Sequence, residues 1–108
     1  MVKNKYGARK VTAPDGQKFD SNMEYVRWCE LRLLERVGKI SDLKRQVKFE
    51  LIPKQDGESA CSYVADFTYY DQNGELVVED TKGFKTDVYK IKKKLMLWIH
   101  GIRIKETK

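Results

Sequence analysis

Residues 1–19 hold no sustained apolar period. They are polar and basic, with a turn signal at Pro14-Asp15-Gly16, and read as a loosely ordered arm. From Ser21 the pattern becomes helical. Ser21 and Glu24 have the spacing of a capping box. Met23, Val26, Leu33, Leu34 and Val37 recur at helical spacing, and Gly38 follows them. These features predict a helix over 22–37. The period then falls to two: Val47, Phe49 and Leu51 alternate with Gln46, Lys48 and Glu50, and Pro53 closes that strand. A polar loop over 54–59 leads to an aromatic strand from Tyr63 to Tyr70, a hairpin signal at Asp71-Gln72-Asn73-Gly74, and a strand from Leu76 to Lys82 that Gly83 breaks. Thr86 and Asp87 start a second helix, with Val88, Ile91, Leu95, Trp98 and Ile99 as its apolar stripe and Gly101 as its stop. Ile102 and Ile104 form a short last strand. The order is α-β-β-β-α-β, an α/β (α+β) domain over 20–108 after the 1–19 arm.

Composition narrows the chemistry. At 108 residues the chain makes one domain. No apolar run approaches the roughly 20 residues that span a bilayer, and the N-terminus lacks the apolar core of a secretion signal. The expected location is therefore the cytoplasm. Two cysteines and one histidine, with no CxxC, argue against zinc and against a disulfide. A bound metal would have to sit on carboxylates, which suits Mg2+ or Mn2+. The net charge is +6, with basic residues crowded at both ends and acidic ones between. Basic surface around an acidic centre suits a nuclease, since phosphates need cations and metals need carboxylates. An ordinary solvated basic surface has the same composition.

The hairpin carries the chemistry. Asp66 interrupts a strand that is otherwise apolar or aromatic, the next strand reads Val77-Val78-Glu79-Asp80-Thr81-Lys82-Gly83, and an acidic residue inside a buried-looking strand is costly unless paired or bound to a metal. Asp80 and Lys82, two apart, share a face. With a three-residue loop Gln72-Asn73-Gly74, residue 71 faces 75 and Asp66 lies opposite Asp80. Gly74 then takes the left-handed position such loops require. With a two-residue Asn73-Gly74 turn, Asp66 shares a face with Glu79 and Thr81 instead. Lys82 favours Asp80, because only Asp80 shares its face; a bulge would upset the count. Two carboxylates on neighbouring strands can grip one or two metal ions. A nearby lysine can orient an attacking water and offset transition-state charge, and the Thr81 carbonyl can add a ligand.

These residues resemble a known family. Asp66 followed by Asp80-x-Lys82 is similar to the PD-(D/E)XK nuclease signature, with Ala65 where the nominal proline stands. Phe19-Asp20-Ser21-x-x-Glu24, Gln46-x-x-Phe49, Tyr63-x-Ala65-Asp66-Phe67 and Glu79-Asp80-x-Lys82-Gly83-Phe84-Lys85-Thr86 extend the likeness over about 17–106. Together they look like small phage-encoded nucleases of this superfamily, transposon-end endonuclease subunits of the TnsA type and Holliday-junction-resolvase-like nucleases. The resemblance implies a restriction-endonuclease-like core with a mixed central sheet flanked by helices. It also implies that Glu24 completes a metal site with Asp66, Asp80 and Thr81, and that Lys82 assists the attacking water. Glu24 has a second reading as a helix cap at N3, although it shares a stripe with Trp28 and Leu31 that points inward. The implied function is a Mg2+-dependent DNA endonuclease, phage or mobile-element encoded and acting in the host cytoplasm. By size it is expected to select branched or junction DNA and to work as a homodimer. The alternative is a catalytically weak or inactive nucleic-acid-binding module of the same fold.

Lesser signals complete the reading. Lys85, Lys90, Lys93 and Lys94 follow the motif, and the last three share a helix face; they read as phosphate contacts or as a solvated face. Gln46 is placed near the site by the resemblance. Trp28 and Trp98 read as core. His100, at a helix end, favours the dipole.

Overall fold

The computed structural model describes residues 10–108. The basic residues Lys3, Lys5 and Arg9 of the expected arm lie outside the described residues. The rest of that arm is structured. β1 (Val11–Thr12) and β2 (Lys18–Phe19) pair antiparallel around the Pro14-Asp15-Gly16 turn, and Phe19 is buried beneath α1 (Asn22–Arg36). One buried aromatic anchors this short hairpin, so a pattern search that needs several periods passes over it.

β3 (Ser41–Ile52), β4 (Cys61–Tyr70), β5 (Leu76–Thr81) and β6 (Lys105–Thr107) form one sheet in that order. The first three are antiparallel. β6 runs parallel to β5 after a crossover through α2 (Asp87–His100), which makes the sheet mixed. β3 starts earlier than Val47, and the last strand begins beyond Ile104; Ile104 is instead a buried core residue.

The helix ends follow the sequence signals. Ser21 Oγ accepts from the Glu24 N–H at 3.2 Å, and Thr86 Oγ1 accepts from the Tyr89 N–H at 3.1 Å. Gly101 closes α2 in the left-handed conformation. The Glu24-Trp28-Leu31 stripe of α1 points inward as read, whereas most of the aliphatic positions at helical spacing do not. Glu24, Trp28, Leu31 and Leu34 point inward from α1, whereas Met23, Val26, Leu33 and Val37 are exposed. Tyr89 and Met96 are the buried residues of α2, with Leu95 packed beside them, whereas Val88, Ile91, Trp98 and Ile99 are exposed. Trp98, read as core, is 86% exposed. Aromatic and charged residues, Tyr89 and Glu24 among them, occupy the inward stripes. An apolar count misses those positions.

Two cores lie on opposite faces of β5, one against Val77 and the other against Val78. α1 covers the first with Leu31, Phe67 and Tyr69; α2 covers the second with Leu51, Tyr63, Ala65 and Met96. In a regular strand Ala65 and Phe67 would share a face. Here β4 changes face between them. β3 does the same: Leu43 and Arg45 turn toward α1, Phe49 and Leu51 toward the α2 core. The register passes through unbroken, from Arg45↔Phe67 to Val47↔Ala65. Between the two faces of β3, Gln46 adopts φ +54, in the left-handed region, with no residue inserted. Asp66 is its counterpart in β4.

Candidate functional site

The β4–β5 turn fixes the hairpin. The Asp71 N–H donates to the Glu75 carbonyl at 2.9 Å and the Gly74 N–H to the Asp71 carbonyl at 3.0 Å, with Gly74 at φ +77. This is the three-residue loop. It sets Phe67 opposite Glu79, where the backbone pairing of the two strands ends, next to Asp66 and Asp80. Beyond Phe67, Asp66 bonds the strand with its side chain: Oδ2 accepts from the Thr81 N–H at 2.9 Å.

Asp80 is almost fully buried. Its Oδ2 accepts from the Tyr63 hydroxyl at 2.7 Å, and Lys82 Nζ stands 3.6 Å from Oδ1. Lys82 also lies over the Tyr89 ring, 4.5 Å from its centroid. Burial, then the hydrogen bonding and charge of Asp66, push the Asp80 carboxyl up to about 8, against the opposing pull of Tyr63 and Lys82. Glu24 is buried as well and bonds Arg45 Nη2 at 3.3 Å. Burial, then Asp66, push its carboxyl up to about 7. Asp66, at the face reversal, therefore acts electrostatically on Glu24 from the α1 side and on Asp80 from the α2 side. The Glu24 carboxylate is committed to this neighbourhood, while the cap is made by Ser21 and the Glu24 backbone.

Glu79 is the contrasting case. It points to the opposite face of β5 and is fully buried. Arg27 forks onto both its oxygens, with Nη2–Oε2 at 3.0 Å and Nε on Oε1. Tyr69 donates to Oε2 at 2.6 Å, and Thr107 Oγ1 reaches Oε1 at 3.4 Å. All its acceptor capacity is used inside the protein, which leaves it no role as an open ligand.

The remaining expected residues divide. Thr81 sits beside Asp66 through its N–H and bonds the Thr107 hydroxyl at 3.2 Å. Gln46 is level with Asp66 on the neighbouring strand, with an exposed side chain. Lys85 and Lys93 pair with Glu106 at 3.0 and 3.2 Å, while Lys90 and Lys94 line a cavity beside α2. His100 Nε2 lies 2.7 Å from the Glu50 carbonyl oxygen, away from these carboxylates. Pattern reading gave no role to Tyr63, Arg45 or Arg27. Each is identified only by its partner across the fold. Arg45 is held over the Phe19 ring at 3.8 Å, and its buried Nε has no hydrogen-bond partner.

Three carboxylates thus share one desolvated neighbourhood, and all are hard oxygen donors of the kind Mg2+ and Mn2+ take. Burial first, and the neighbouring Asp66 second, raise two of them, Glu24 and Asp80, above the usual carboxylate range. Among the described residues, no three Asp, Glu, His or Cys side chains stand in ready ligating geometry. Tyr63, Lys82 and Arg45 occupy carboxylate oxygens instead.

A family model described as a protein of unknown function, DUF1064, matches residues 3–104. The chain belongs to this family. The DUF1064 match spans both helices and β1–β5, so the carboxylate neighbourhood lies wholly inside it, while β6 lies beyond. No curated protein and no solved structure matches the chain. No described helix of this DUF1064 domain is long and apolar enough to cross a membrane.

Proposed function

We propose that this protein is a Mg2+- or Mn2+-dependent DNA endonuclease. The observation that carries the reading is that Asp66 stands where the β4–β5 pairing ends, its Oδ2 accepting from the Thr81 N–H next to Asp80, with Lys82 beside Asp80 and Glu24 raised by the same Asp66. Asp66, Asp80 and Glu24 would hold the cation, with the Thr81 carbonyl as a further donor. When bound, such an ion polarises the phosphate and acidifies a water. The chain's own residues do the rest. Tyr63 fixes the Asp80 carboxyl by donating to Oδ2, and Lys82 brings a cation to the mouth of the site, where it can orient water and offset charge on the phosphate. Lys85, Lys90, Lys93 and Lys94 extend positive charge along α2 for the strand backbone.

The test is incubation of junction, flap, nicked and linear DNA with Mg2+ or Mn2+, using the wild type and the variants Asp80→Asn and Asp66→Asn. Cleavage is expected with the wild type. Each substitution should lower its rate by about a hundredfold or more. Full cleavage by Asp80→Asn overturns the site. Salt-sensitive binding without cleavage under either metal favours a binding module of the same fold. The proposal includes action in the cytoplasm that holds the DNA, and a homodimer presenting two sites to two strands. Light scattering tests the latter against the 12.7 kDa protomer.

A further inference from the structure

A cavity of about 310 Å³ opens between α2 and the end of the chain around β6, with Tyr89 among its lining residues. Its size is at the lower end of small-molecule sites. Tyr89, Leu97 and Ile104 give it apolar walls, and Lys90, Lys94 and Arg103 stand around it as cations. Among the described residues these three enter no ion pair. Lys85 and Lys93 are held back by Glu106, which also accepts from the Tyr89 hydroxyl at 2.7 Å. Glu106 thus fixes the position of Tyr89, the wall shared with the carboxylate site, where Lys82 sits on the same ring. Apolar walls ringed by free cations match a ligand with one flat apolar part and one phosphate.

We infer that this cavity binds one unpaired nucleotide of a DNA strand, its base against Leu97, Ile104 and Tyr89 and its phosphate on Lys90, Lys94 and Arg103. The inference rests on the nuclease reading and adds a substrate class to it: DNA carrying an extruded or unpaired nucleotide beside the bond to be cut. Extruding a base is cheapest where pairing is already broken, which makes the pocket selective for damaged or branched strands.

The experiment needs no cleavage. The full chain in EDTA is titrated with deoxyadenosine monophosphate and, separately, with inorganic phosphate, followed by amide NMR signals. The nucleotide should move the signals of Leu97, Ile104 and Glu106 and bind about tenfold more tightly than phosphate. Leu97→Trp, which fills the cavity from its rim, should remove that preference and leave phosphate binding in place. Arg103→Glu should weaken both ligands. Equal affinity for the two ligands, or shifts confined to other surfaces, overturns the inference. A second arm compares duplexes with and without one bulged nucleotide, and separates a strand nucleotide from a free one. About tenfold tighter binding of the bulged duplex, lost in Leu97→Trp, is expected; no preference overturns the inference. DNA cleavage without nucleotide binding would overturn this inference alone, and nucleotide binding without cleavage under any metal would overturn the nuclease reading alone.

Discussion

Glu79 and Asp80 are adjacent, both acidic and both buried, yet they face different environments. Glu79 meets Arg27, Tyr69 and Thr107 and is neutralised where it stands. Asp80 meets another carboxylate. Removing one partner of a buried ion pair leaves the other uncompensated, so Glu79→Ala should lose about 3–5 kcal/mol in urea denaturation. Asp80→Asn should behave oppositely in metal-free protein. Its folded carboxyl is raised from 3.8 to about 8. A group raised in this way contributes stability that is complete below its unfolded value and is lost as pH rises through the folded one. The wild type in EDTA should therefore lose melting temperature as pH climbs from 3.8 to about 8, and Asp80→Asn, which cannot ionise, should lose less over that range. Parallel pH profiles for the two proteins would remove Asp80 from the coupled pair.

At the scale of elements, the decisive feature is the reversal at Gln46. A left-handed non-glycine residue costs about 1–2 kcal/mol, and a branched side chain tolerates it worst. Gln46→Gly should hold or raise stability, whereas Gln46→Val should lose about 1–2 kcal/mol relative to it, read by denaturation. If the reversal brings Asp66 between the two helices, Gln46→Val should also lower cleavage per folded molecule. The two helices share a second feature. Each buries a stripe holding polar or aromatic groups and exposes much of its aliphatic one. Trp98 shows this most plainly, and Trp98→Ser should change folding stability by no more than about 0.5 kcal/mol.

Across the whole molecule, charge is laid out around the site. Glu24 and Asp80 are buried, and Lys85, Lys90, Lys93, Lys94 and Arg103 gather around the cavity beside α2. A surface that neutralises phosphates releases counterions, so DNA affinity should fall steeply with salt. Each of Lys90→Ala and Lys94→Ala should reduce the slope of log affinity against log salt by about one, in fluorescence anisotropy at several salt concentrations. An unchanged slope would make these lysines a solvated face.

The residues themselves determined the order of elements from α1 onward, both helix ends and the turn. Cap chemistry and loop geometry are local, and a three-residue loop ending in Gly74 imposes its register on every pair above it. That register runs as far as Phe67 opposite Glu79, where Asp66 takes over with its side chain. The β1–β2 hairpin escaped, because Phe19 is its one large buried side chain, and so did the inward face of α2, because Tyr89 and Met96 lie outside the aliphatic stripe. Only the tertiary structure decided the face reversal at Gln46, the Arg27–Glu79 pair and the Tyr63–Asp80 bond. Each joins residues far apart in the chain, and a side chain's burial and charge depend on what the rest of the fold sets against it.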